Sequence, residues 1–170
     1  MKQILLLMLF VGMVVSAQSQ KIAFVDSEYI LKNIPAYETA NEQLNLLAKK
    51  YEGEIKAKFD EVASLYETYK NESVFLAADM KVKKENEIVE KEQAAKKLQQ
   101  QYFGQEGDLF KRRESLVKPI QDQVFNAISA IAAEKGYGAV FDKSSGFGLM
   151  YSDTRYDISD EVLTRLGYKK

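Results

Sequence analysis

Three groups of residues in this sequence are of types that could do chemistry. Asp153, Asp157, Asp160 and Glu161 gather near the C-terminal end, and clustered carboxylates can hold calcium or, when paired in a cleft, hydrolyse a glycosidic bond. Lys111-Arg112-Arg113 is a basic triplet of the kind that meets phosphate or lipopolysaccharide. Gly136-Tyr137-Gly138 and Gly146-Phe147-Gly148 are glycine pairs, the residue choice of phosphate-cradling loops. Their spacing points elsewhere. The acids lack the alternating pattern and terminal bidentate glutamate of a calcium loop, so turn and helix-capping duties explain them. Glu106, Asp108 and Glu114 surround the basic triplet, which makes it one part of a solvated helical face. Neither glycine pair lies between a strand and the start of a following helix.

What is missing excludes more. The 170 residues contain no Cys, no His and no Trp. Thiol nucleophiles, disulfide frameworks, zinc-thiolate sites, Ser-His-Asp triads and imidazole switches are therefore excluded. With 24 Lys+Arg against 25 Asp+Glu, the formal charge is −1, too little positive charge for a general nucleic-acid binder. No catalytic residue, metal or cofactor is expected.

Residues 1–17 read Met1-Lys2-Gln3, continue as an apolar run from Ile4 to Val15 interrupted only by Gly12, and end in Ser16 and Ala17. The run is too short to span a bilayer and ends in small residues, so it reads as a secretory signal cleaved after Ala17. The remaining chain is expected to be exported and soluble, beyond the cytoplasm.

The elements follow in order. Ile22-Ala23-Phe24-Val25 is a wholly apolar run that predicts a strand buried on both faces, and Ser27 is placed to cap a short helix, 28–33. Pro35 starts a long helix to about Asn71, in which Tyr37, Ala40, Leu44, Leu47, Tyr51 and Ile55 recur every three or four positions. A second helical run extends from about Ala77 to Lys135 and stops at Gly136. The two fold back about residue 74 or 75 as a thin coiled-coil hairpin, with Pro119 kinking the return. Gly104 and Gly107 inside the second run would either loosen the hairpin or permit close helix packing. Beyond Gly136, 139–142 and 147–151 predict two further strands about a turn, and Ser159 is placed to cap a last helix ending at Gly167.

The fold class expected is α+β. A signal (1–17) precedes a small body (18–35 plus 119–170), built from short strands of both chain ends, and a helical hairpin arm (36–118). The arm takes 83 residues and leaves 70 for the body. A body that small, without disulfide or metal, rarely encloses enough core alone, so it should share strands with other copies. Ile22, Phe24, Val140, Phe141 and Leu149 are the candidate oligomer core. Phe75 and Leu76 at the hairpin tip, with Phe103 and Phe110 farther along, are the candidate contacts for a client protein.

In this order the pieces resemble the Skp/OmpH family of periplasmic chaperones along nearly the whole mature length. The likeness rests on Lys21-Ile22-Ala23-Phe24-Val25-Asp26 with Ile34-Pro35, on Leu116-Val117-Lys118-Pro119-Ile120 with Gly136-Tyr137 and Ala139 to Asp142, and on Tyr156-Asp157-Ile158-Ser159-Asp160-Glu161. The resemblance implies a jellyfish-like homotrimer, with a small β-barrel-like body assembled from the three copies and helical arms that enclose a cavity. It also implies an ATP-independent holdase for unfolded outer-membrane proteins, with weak membrane contact and no nucleic acid among its partners. One departure stands out: the arm carries 15 Lys+Arg against 16 Asp+Glu, whereas well-known members are strongly basic. No lipopolysaccharide site is carried over, and client capture should lean on apolar residues. The alternatives are a coiled-coil spacer or adaptor in the cell envelope and a carboxylate hydrolase. The spacer would need an anchor or a fixed partner, and the hydrolase a cleft.

Overall fold

The computed structural model describes residues 21–146 and 148–168. The expected signal, 1–17, and Phe147 lie outside them. Two strands, β1 (Lys21–Val25) and β2 (Tyr137–Asp142), and five helices, α1 (Ser27–Lys32), α2 (Pro35–Glu72), α3 (Ala78–Phe103), α4 (Asp108–Lys135) and α5 (Ser159–Arg165), make up the regular structure. Of the described residues, 21–27 with those from Asn126 onward form one compact unit, and Glu28–Phe125 form a second.

In the second unit, α2 and α3 form an antiparallel hairpin joined by the turn 73–77, so the expected fold-back point is where the chain turns. Pro35 opens α2 at a position where its missing N–H is no loss. Ala40, Leu44 and Ile55 are its buried residues, and Ala95 is that of α3. Ion pairs cross between the helices from Lys91 to Glu61 at 2.6 Å and from Lys84 to Glu72 at 2.9 Å.

The second helical run is not continuous, which corrects the expectation of a single helix to Lys135. It breaks at residues 104–107, between α3 and α4. A Cβ on Gly104 would lie 2.3 Å from the Gln100 carbonyl oxygen, and one on Gly107 2.8 Å from the Gln101 and Tyr102 carbonyls. Only glycine fits so tight a turn, which is closed by hydrogen bonds from the Gly104 N–H to Gln100 and from the Gly107 N–H to Gly104. Pro119 is accommodated inside α4. Gly136, at φ 68°, ends that helix in the left-handed conformation that glycine adopts without strain.

In the first unit, β1 and β2 pair in parallel, with Ile22 opposite Ala139, Phe24 opposite Phe141 and Val25 opposite Asp142. A parallel pair needs a long crossover, here the whole chain between the strands. Ala23 and Val25 are buried, as are Ile131, Ile158, Val162 and Leu163 of the same unit. The opposite face of β1 is open: Ile22 is exposed and Phe24 half-buried. The expectation of burial on both faces is thus corrected, because a single chain supplies a layer for one face only.

The expected third strand is also absent. Lys143–Ser145 form a short 3-10 turn, and 148–151 carry no regular pairing. Gly148, at φ 64°, departs from extended backbone and interrupts the segment.

Candidate functional site

The described residues present a network of bonded carboxylates and two apolar surfaces. Among the described residues no three of His, Cys, Asp or Glu are grouped to hold a metal ion. The carboxylates that cluster in the sequence are committed to local structure. Asp153 accepts from the backbone N–H of Arg155 at 2.9 Å and pairs with its guanidinium, which holds the carboxyl below its usual range. Burial would raise the Asp157 pKa, yet the Lys143 ammonium at 2.5 Å and the hydroxyl and N–H of Ser159 outweigh it and lower the pKa.

Both expected serine caps are corrected by this network. Ser159 is the first residue of α5 and donates its hydroxyl to Asp157, while accepting the Asp26 N–H at 2.8 Å. Ser27 begins α1 and donates its hydroxyl to Asp142 at 2.6 Å. Burial again opposes ionisation of Asp142, and bonds from Ser27 and Ser144 again reverse the effect, so its pKa is lowered. An aspartate two residues before Ser159, and one brought alongside Ser27 by the sheet, are stronger acceptors than a hydroxyl. The result fastens the C-terminal segment to β1.

The first of two apolar surfaces lies on the open face of the sheet. Phe24 and Phe141 face each other at a ring separation of 6.0 Å, and Phe141 is 49% exposed. Beside them is a hollow of about 660 Å³ lined by Ile22, Phe24, Tyr137, Tyr151 and Tyr156 with Lys21 at its edge. Of the candidate oligomer core, Ile22, Phe24 and Phe141 share this face. Val140, opposite Ala23 in the register, is on the other, and Leu149 is exposed in the neighbouring segment. Met150, wholly exposed, and Tyr151 were not legible as surface residues, because reading 147–151 as a strand hid them.

The hairpin turn provides the second surface. Val74 is 80% exposed and Phe75 89%, while Leu76 is half-buried. Val74 was missed, although it adjoins Phe75 in a five-residue turn. The other expected contacts are not brought to the tip: α3 alone places about 38 Å of helix between the turn and Phe103. Phe103 packs edge-on against Tyr51, whose ring also stacks on Tyr102. Phe110, in the first turn of α4, is 45% exposed. No helix among the described residues is long and apolar enough to cross a membrane.

Comparison with known proteins matches residues 21–166 to the family described as outer membrane protein (OmpH-like). The chain is similar to the chaperone protein Skp of Yersinia enterocolitica, with 23% identity over 151 residues that cover 89% of this chain and 88% of that protein. Its fold is similar to that of an OmpH-like outer membrane chaperone of Caulobacter crescentus, with a TM-score of 0.66 and 11% identity, over 85% of this chain and 82% of the other.

Proposed function

The chain belongs to the OmpH-like family of outer membrane chaperones, and on that premise we propose that it is an ATP-independent periplasmic holdase that binds unfolded outer-membrane proteins between helical arms. One observation carries the reading. A long hairpin ends in a turn that exposes Val74 and Phe75 to solvent, where a chain with no binding task would keep apolar surface covered. Weak contacts of this kind, repeated on several arms, hold a client through avidity without any deep pocket.

The several arms come from self-association. In this reading three copies join through the open sheet face around Ile22, Phe24 and Phe141, and the segment 148–151 finds its pairing edge on another copy, which closes a small β-barrel. The body is 18–35 with 119–170, and the arm is 36–118. Residues 1–17 direct export and are removed, leaving a soluble periplasmic protein. Phe103 and Phe110 extend the client surface down the arm from Phe75 and Leu76, and the tip makes weak membrane contact.

The test is co-sedimentation. A urea-denatured outer-membrane barrel protein is diluted into the mature protein, and the reading requires the two to sediment as one soluble complex without nucleotide. A client that pellets alone would favour the role of an envelope spacer.

A further inference from the structure

The hollow of about 660 Å³ beside the sheet is walled mainly by aromatic rings, those of Phe24, Tyr137, Tyr151 and Tyr156. Tyr151 belongs to the wall, whereas Met150, one residue earlier, is no part of it and is 100% exposed. A methionine suits such walls, because its flexible thioether fills irregular space and its sulfur makes favourable contacts with ring edges. Knob and socket are thus both present on one chain, as different patches. Contact between such patches is heterologous: each copy gives its knob to the next, and a closed ring leaves no knob exposed.

We propose that Met150 of one copy seats in the aromatic hollow of the next, and that oxidation of Met150 in a free copy bars that copy from assembly. The proposal rests on the reading that the body self-associates through the open sheet face, and adds the modification that controls this step. The oxidant required is a peroxide. The sulfur lone pair takes one peroxide oxygen, so an S–O bond forms as the O–O bond breaks, and the other oxygen leaves as water with both protons. The thioether is oxidised by two electrons and the peroxide is reduced. The product, a sulfoxide, is polar and must shed bound water to enter a largely apolar hollow. Met150 is the one thioether of the body, and the chain has no thiol to be oxidised before it.

Two readouts test this. The assembled mature protein is given a brief pulse of hydrogen peroxide, and oxygen at each methionine is read by peptide mass spectrometry. In the single chain Met80 is 41% exposed against 100% for Met150, and assembly is expected to invert that order, with Met80 oxidised first. In the second, Met80→Leu protein is oxidised in urea and refolded, so that only Met150 carries the sulfoxide. Light scattering should show assembly weakened about tenfold or more, while the helical circular dichroism of the arm is retained. Met150→Leu protein treated in the same way should assemble as untreated protein does. Met150 oxidised before Met80 in the assembly would overturn the proposal, and so would sulfoxide protein that assembles undiminished. Both results leave the self-association reading standing, whereas untreated protein that scatters as a monomer overturns that reading and the proposal together.

Discussion

The rings of Tyr51 and Tyr102 lie 3.8 Å apart, centroid to centroid, and within 10° of parallel. They are the closest ring pair described and join α2 to α3 next to the end of α3. In a hairpin that buries few side chains, such a contact carries an unusual share of the packing. Tyr51→Ala should destabilise the hairpin by roughly 1–2 kcal/mol, read by chemical denaturation, and loosen hydrogen-exchange protection at the ends of α3.

Tyr102 also titrates abnormally. Its bond to the Glu54 carboxylate, then burial and the Glu54 charge, push the hydroxyl from 10.0 up to about 12. The folded state holds this proton more tightly than the unfolded chain. The resulting stability is complete below pH 10 and is lost as pH rises toward 12. Tyr69, bonded to Glu85, is also raised, so ultraviolet titration should show two late tyrosines, and Glu54→Gln should bring Tyr102 alone back toward the others.

The acid limb has the opposite sign. Asp157 has its pKa lowered from 3.8, so its contribution is present above about pH 4 and disappears as pH falls through the folded value. Only 23% of the Asp157 side chain and 28% of that of Lys143 is exposed, so the pair is screened less than a surface pair and contributes about 1 kcal/mol. Asp157→Asn should cost about that much at neutral pH and flatten the loss of stability in acid, measured by thermal unfolding across the range.

The glycines separate by environment. Gly104→Ala places a methyl group against the Gln100 carbonyl and should destabilise by roughly 1–3 kcal/mol, since the turn must open. Gly53→Ala should stabilise by about 0.5–1 kcal/mol. Urea midpoints of the two variants check both signs.

Much of the helical part was legible from local rules. Pro35 and the three-to-four spacing from Tyr37 to Ile55 set α2, and Gly136 marked the end of α4. The break at 104–107 was not legible, because the propensity cost of two glycines does not reveal a carbonyl that a Cβ would strike. Ser27 and Ser159 each carried a cap signal, and the acids that claim their hydroxyls are placed by tertiary structure in one case and by a local turn in the other. The parallel pairing of β1 with β2 joins residues more than a hundred positions apart, beyond the reach of any periodicity. The exposure of Phe75 was legible from its place in the turn, whereas the partner of Phe24, Phe141, could be named a core candidate but not assigned to an open face.

That open face yields a prediction about assembly. Phe141→Asp leaves the buried side of the sheet untouched and should dissociate the proposed trimer. Light scattering with circular dichroism reads assembly and fold. Monomer in the unaltered mature protein would remove the proposed role of this face.

The most direct measurement of the holdase account is turbidity of a denatured outer-membrane porin after dilution into buffer, with unaltered mature protein or with the Val74→Ser, Phe75→Ser double variant. The account predicts that the unaltered protein suppresses aggregation at equimolar arms without nucleotide. It also predicts that moderate salt changes this little, because arm charges nearly cancel, and that the variant is several-fold weaker while equally folded. Aggregation undiminished by the unaltered protein would contradict it, as would suppression that vanishes in salt and survives in the variant.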